Sequence, residues 1–265
     1  MFKIINVMGY SILKDKLTSI KIDKSKKQII NTINSHSYIT AKNDKKFREA
    51  LDASDVLIPD GSGITLASKF LNANNLDKIA GYDLHQHLLQ ELNDNFSKCF
   101  YMGSSPSTLN KICERLSIEF PNIKVESYSP PFKAEFTDEE NSEIISRINE
   151  FNPNVLFIGM TAPKQEKWLQ ANREELNFNI ASSIGAVFDF YAGTVQRPSA
   201  FWVNAHLEWL PRLFSEPKRL WRRNFISTPL FIFEFLLYKL AIKKSKILTY
   251  ALNNRNFGEQ VIKSN

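Results

Sequence analysis

Two cysteines in 265 residues, Cys99 and Cys113, allow at most one intrachain bridge and fit no metal-ligand spacing. A disulfide-stapled scaffold and a cysteine-type zinc site are thereby excluded, and two buried thiols in a reducing compartment are expected. The chain also lacks a run of roughly 18 consecutive apolar residues, the length a spanning helix needs. Its first thirteen residues show no basic segment ahead of an apolar core and no small-residue cleavage site. The stretch from Phe2 to Val7 reads as a first strand rather than a signal peptide, so the chain is expected to stay in the cytoplasm. Neither GxGxxG nor GxxxxGK(S/T) occurs, which removes the usual dinucleotide fingerprint and the P-loop. An Asp-x-Asp pair is missing too, which weakens any mechanism in which paired carboxylates hold a metal on a nucleoside diphosphate.

What is present is a globular composition, 43% hydrophobic and 23% charged, which excludes a disordered chain. Short apolar runs at Phe2–Val7, Gln28–Thr32, Asp55–Ile58, Cys99–Met102, Ile123–Tyr128, Asn154–Ile158 and Ile180–Ser183 alternate with helical patterns. Ser105-Pro106 supplies a helix cap followed by proline at the first helical position, and Thr137 with Glu140 has the spacing of a capping box. This alternation predicts an α/β fold, a Rossmann-like, mostly parallel sheet with helices on both faces. After about residue 197 the strands stop and prolines punctuate helices. The expected organisation is an α/β catalytic domain over 1–196, a basic helical appendage over 197–252 that associates with membrane, and a frayed tail over 253–265.

The net charge of +6 is concentrated. Ten Lys and Arg against three Glu between Arg197 and Lys246 give that span +7, leaving −1 for the rest. A near-neutral body with a basic tail points to nucleic acid, an anionic membrane surface or a diphosphate substrate, against a merely solvated basic face. Within the tail, residues 229–242 are mostly apolar and flanked by Arg222-Arg223 and by Lys243-Lys244. This suits the headgroup boundary of a bilayer, although Glu234 and Lys239 define no clean polar face; a core or oligomer helix is the other reading.

Ligands of open α/β sheets bind beyond the carboxyl ends of the strands. Four of these strands run into glycine at their ends, at Gly103, Gly159 and Gly185 within one or two residues and at Gly61 with Asp60 coming first. As a set on one rim they suggest a phosphate-bearing ligand. Asp60, between Pro59 and Gly61, reads either as a general base on a substrate hydroxyl or as the cap of the helix that follows. Asp189 reads as a holder of base or ribose, or again as a cap. His85 and His87 stand two apart, and on a helix such positions do not face one another, which argues against a metal site.

At these loops the sequence resembles the WecG/TagA/CpsF family of bacterial glycosyltransferases, glycosyltransferase family 26. The blocks that carry it are DVLIPDGSGITLASK (55–69) with AGYDL (80–84), YMG (101–103), LFIGMTAPKQEKW (156–168), and IGAVFDFYAG (184–193) continuing into LEWLPRLFSEPKRLWR (207–222). The resemblance covers most of residues 1–223. It implies inverting, metal-independent transfer of an N-acetylhexosamine-type sugar, with N-acetylmannosamine or its uronic acid favoured, from a UDP donor. The implied acceptor is a sugar on undecaprenyl diphosphate, at the inner face of the cytoplasmic membrane, in surface polysaccharide synthesis. It further implies no cofactor, peripheral attachment through the tail, and self-association through the tail region.

Carried over by position, the resemblance makes Asp60 the general base. Thr32 and Asn34 match a Thr-x-Asn element beside the catalytic pocket, with Ile33 where the family often has proline. Gln165 would contact the sugar or the diphosphate, Asp189 the uracil, and Phe132 would stack on that base. Arg212, Arg219 and Arg222 would stabilise the departing diphosphate, as arginine does with its fork of donors. Two other readings compete: a nucleic-acid binder using the basic, aromatic tail, and another nucleotide-sugar enzyme such as a hydrolase or epimerase. Against nucleic acid, the basic residues alternate with a near-continuous apolar run.

Overall fold

A computed structural model describes residues 2–72, 75–195 and 217–244, together with the isolated positions 202, 210 and 213. The boundary expected near 196 and the tail at 253–265 lie outside the described residues. The chain opens with a hairpin, β1 (Ile4–Val7) and β2 (Tyr10–Leu13), paired antiparallel around a two-residue turn at Met8-Gly9. The first strand was expected in the body of the sheet. It belongs instead to this separate ribbon, which packs against an edge of the main sheet and buries Val7, Tyr10 and Ile12.

The main sheet has six parallel strands: β3 (Gln28–Ile33), β4 (Val56–Pro59), β5 (Lys98–Gly103), β6 (Lys124–Tyr128), β7 (Val155–Gly159) and β8 (Ile180–Ser183). Their spatial order is β4-β3-β8-β7-β5-β6. Helices α1 (Ser35–Asn43), α2 (Lys45–Asp52), α3 (Ser62–Asn72), α4 (Gly81–Asp94) and α5 (Pro106–Glu119) follow the first strands. Then come α6 (Asp138–Phe151), α7 (Lys164–Ala171) and α8 (Gly185–Tyr191).

Both faces are covered because the strands alternate. Along β5 and β7, Cys99, Tyr101, Val155 and Phe157 join Leu88 of α4 and Ile112 of α5 in one core. Phe100, Met102, Leu156 and Ile158 join Ile148 of α6 and Leu169 of α7 in the other. This period of two with apolar residues on both faces is what a parallel sheet requires. The helix starts follow the expected chemistry: Ser105 Oγ accepts from Thr108 N, with Pro106 next in chain, and Thr137 and Glu140 form the capping box.

The last described element, α9, spans residues 217–244. It starts at Pro217–Arg222, passes through a π-helical turn at Arg223–Ser227 and continues to Lys244. The apolar stretch of 229–242 is therefore part of a longer helix. Leu220–Lys244 is long and apolar enough to cross a membrane, and only 11% of its most apolar window is buried. It docks through Phe231, which is buried and lies edge-on to Tyr38 of α1 at 5.3 Å. Phe235 meets Phe70 of α3 at 6.3 Å, and Glu234 pairs with Lys42 at 2.5 Å. Both sides of the helix are largely apolar: Leu220 and Phe231 are buried, and Phe235 and Tyr238 pack against the same core cluster as Phe231. Ser227 and Glu234 turn toward the body, while Phe225, Ile226, Leu230, Phe233, Leu237 and Leu240 face outward. No clean polar face was visible in the sequence because Glu234 pairs with the body while Lys239 stays exposed among apolar neighbours.

Candidate active site

The rim is built where strands leave in opposite directions. After β5 the chain goes to β6 at the outer edge, and after β7 it goes to β8 toward the middle, so a crevice opens between the ends of β5 and β7. Gly103 pairs in register with Gly159 there and has φ of 110°, where a side chain is strained. A Cβ on Gly103 would lie 2.6 Å from the Gly159 carbonyl oxygen. One on Gly159 would lie 2.3 Å from the Phe188 ring, and one on Gly185 2.3 Å from the Met160 carbonyl oxygen. These glycines are thus required by packing at the rim.

Asp60 follows β4 directly, half-buried, with its N–H donating to the Ile33 carbonyl at 2.8 Å. That bond continues the β3–β4 ladder, in which Thr32 pairs with Ile58 and Ile33 with Pro59. Asp60, Thr32 and Asn34 are therefore brought to one corner of the rim. Asn34 caps α1, its Oδ1 accepting from His36 N and Ser37 N at 3.0 Å each. With Oδ1 so engaged, the amide N–H pair is what Asn34 can offer a ligand. Gly81, at the start of α4, lies against Thr32, Ile184 and Val187, so this helix start joins the same corner.

Gln165 and Glu166 lie at the start of α7, and both side chains are buried. Gln165 Oε1 accepts the Gly185 N–H at 3.2 Å, and its Nε2 donates to Glu166 Oε1 at 2.8 Å. The Gln165 amide thus ties the loop after β7 to the start of α8. Burial pushes the Glu166 carboxyl up to about 7, only partly offset by the hydrogen bond from Gln165. Asp189 sits one turn into α8, half-buried and past the rim glycine, and does not cap the helix. Phe132 is fully exposed in the loop after β6.

Of the three arginines, Arg212 lies outside the described residues. The backbone of Arg219 is helical in α9, and its side chain also lies outside the described part. Arg222 is exposed. Its neighbour Arg223 lines a groove beside Asn34 and Gly61. Three residues here were not read from the sequence as part of the site: Arg223, taken only as a basic flank of the tail, His36 and Ser227. The buried Ser227 Oγ lies 2.8 Å from His36 Nδ1, fixing α9 to the first turn of α1. Burial and the nearby Arg223 push the His36 imidazole pKa down. The signal was the i, i+4 spacing of Arg223, Ser227 and Phe231, masked because that stripe mixes polar and aromatic side chains.

The remaining candidates resolve structurally. His85 is buried, its Nε2 2.6 Å from Tyr101 Oη, and burial pushes its pKa down to about 3. His87 Nε2 lies 2.6 Å from the Ile20 carbonyl oxygen. Cys99 is buried, but Cys113 is only half-buried, with its Sγ 3.8 Å from Ser127 Oγ, because it lies at the margin of the α5 core face.

A doubly covered parallel sheet with a polar carboxyl-end rim defines a Rossmann-like α/β enzyme. A sequence model described as the Glycosyl transferase WecG/TagA/CpsF family matches residues 5–245, and the chain belongs to that family. It is a glycosyltransferase. It is 28% identical over 228 residues to an N-acetylglucosaminyldiphosphoundecaprenol N-acetyl-beta-D-mannosaminyltransferase of Bacillus spizizenii, covering 86% of each chain. A protein of the same name from Bacillus subtilis is 27% identical over 247 residues, covering 93% of this chain and 92% of that one. One from Staphylococcus aureus is 25% identical over 206 residues, 78% of each.

Proposed function

We propose that this enzyme moves an N-acetylhexosamine, N-acetylmannosamine or its uronic acid favoured, from UDP to a sugar carried on polyprenyl diphosphate in surface polysaccharide synthesis. The carrying observation is the corner that joins Asp60, Thr32 and Asn34 at the ends of β3 and β4, where Asn34 and Gly61 line a groove with Arg223 of α9. In the reaction Asp60 takes the proton of the acceptor hydroxyl as that oxygen bonds to the anomeric carbon. The bond from that carbon to the diphosphate oxygen breaks, its electron pair leaves with UDP, and the configuration inverts. Arginines of the appendage supply positive charge to the departing diphosphate, a role that needs no metal where no Asp-x-Asp pair exists.

The outward apolar face of α9 supports peripheral attachment to the inner face of the cytoplasmic membrane, where a lipid-linked acceptor resides. The same face disfavours nucleic acid, which calls for polar and basic contact residues. The test is UDP release in EDTA from a panel of UDP-N-acetylhexosamines, with and without a short-chain polyprenyl-diphosphate-GlcNAc acceptor. Release should require the acceptor and fall by roughly 10²–10⁴-fold in Asp60→Asn, with donor binding kept. Acceptor-independent donor breakdown would mean a hydrolase, and full turnover of Asp60→Asn would remove Asp60 from the mechanism.

A further inference from the structure

Between α3 and α9 runs a groove of about 470 Å³, within the range of roughly 300–1,000 Å³ usual for small-molecule sites. Its two ends differ in chemistry. At one end stand Asn34, His36, Gly61, Ser62, Arg223 and Asn224, immediately beside Asp60. At the other stand Leu66, Phe70, Ile232 and Phe235. Leu66, Phe70 and Ile232 are exposed, so the apolar end opens onto the same side as the bare apolar residues of α9.

At the polar end Asn34 and His36 are engaged within the protein, but two groups are open among the described residues. Among the described residues the buried Asn224 Nδ2 has no hydrogen-bond partner, and no carboxylate pairs with the Arg223 guanidinium. Both residues stand in the π-helical turn of α9, a local widening frequently found at functional sites. A cation and a bare amide at one end, and an apolar trough leading from them to an apolar surface, complement an amphiphile with an anionic head.

We propose that this groove seats the first isoprene units of the acceptor, with the diphosphate at Arg223 and Asn224 and the chain running along Phe70 and Phe235 to the membrane. The assignment rests on the transferase reading above and adds to it where the lipid lies. It places the acceptor sugar beside Asp60 and makes α9 a wall of the acceptor site as well as a membrane contact.

The test separates binding from turnover. The full chain in mild detergent is titrated calorimetrically with farnesyl diphosphate and with methyl diphosphate. Leu66→Asp and Ile232→Glu put a carboxylate into the apolar end at exposed positions. They should weaken farnesyl diphosphate about ten-fold or more and leave methyl diphosphate unchanged, because an unpaired charge there is desolvated by the chain. Arg223→Gln should weaken both ligands. Phe233→Asp, exposed on α9 but outside the groove, should leave both affinities unchanged. Equal affinity of the unmodified protein for the two diphosphates, or equal weakening by Phe233→Asp and Leu66→Asp, overturns the proposal. Failure of the transferase reading shows separately, as farnesyl binding that obeys this pattern without acceptor-dependent UDP release.

Discussion

Gln165 and Glu166 are neighbours in the chain, yet their side chains bond to each other, Gln165 Nε2 donating to Glu166 Oε1 at 2.8 Å. The other end of the same amide accepts from the Gly185 backbone at 3.2 Å. A buried carboxylate acceptor thereby fixes which way the amide points, and so which loop it holds. Gln165 was expected to reach for the sugar or diphosphate; in this structure its two polar atoms are engaged inside the protein. Any contact with the donor comes through the Gly185 turn that it holds or after these bonds open.

Glu166 gives this clamp a pH signature. Its carboxyl is raised from 4.5 to about 7 by burial, so between those values the folded state holds a proton that the unfolded state has released. Stability contributed by the protonated form is complete below pH 4.5 and is lost as pH rises through 7. Glu166→Gln keeps an acceptor oxygen and removes the titration. Urea unfolding from pH 4.5 to 8 should show the unmodified protein losing up to about 3 kcal/mol relative to Glu166→Gln, then running parallel to it above pH 7. A constant difference across this range would mean that Glu166 titrates normally.

Gly159 and Phe188 give a second test. A methyl at Gly159 would enter the Phe188 ring at 2.3 Å, and overpacking of this kind costs roughly 1–3 kcal/mol. Gly159→Ala should lower the urea midpoint accordingly. In a Phe188→Leu background the same substitution should cost less, because the obstructing ring is gone. Additive losses in that cycle would place the strain elsewhere.

The strands of the main sheet were legible to within a residue or so because each is a short apolar run bounded by turn residues, as at β5 and β7. The rim was legible for the same reason, since Asp60 and the glycines follow directly on strand ends. The hairpin was not. Tyr10–Leu13 is too short and mixed to declare itself, and it is defined by its pairing with Ile4–Val7. The face of α9 was not legible either. Hydropathy assigns polar residues to solvent, whereas Glu234 is drawn inward by Lys42 and Ser227 by His36.

Phe231 is the buried aromatic of the α9 docking face, with Phe235 and Tyr238 packed beside it. Its ring is buried against Tyr38, whereas Glu234 and Lys42 form a part-exposed pair at the edge of the docked face. Phe231→Ala should release the helix, at a cost on the order of 3 kcal/mol for a buried aromatic. Glu234→Gln should change stability by less than about 1 kcal/mol. Hydrogen exchange over residues 220–244 reads the difference. Exchange in α9 should rise in Phe231→Ala while the strands β5 and β7 stay protected, and equal loss of protection throughout would show that α9 folds with the domain as one unit.

The outer face of α9 provides the last test. Phe233 and Leu237 are exposed on α9 and are not part of the cluster through which Phe231 docks the helix. Each should contribute roughly 1.5–3 kcal/mol on entering the bilayer boundary, and each 1.4 kcal/mol is a factor of about ten in binding. Phe233→Asp with Leu237→Asp should therefore cut cosedimentation with phosphatidylglycerol vesicles by at least about ten-fold and leave the melting temperature unchanged. Raising the salt concentration should weaken binding of the unmodified protein only in part, since Arg222, Lys243 and Lys244 act through screened charge whereas the apolar face does not. Complete release by salt would reduce the attachment to charge alone and leave the exposed face to contact between copies of the chain.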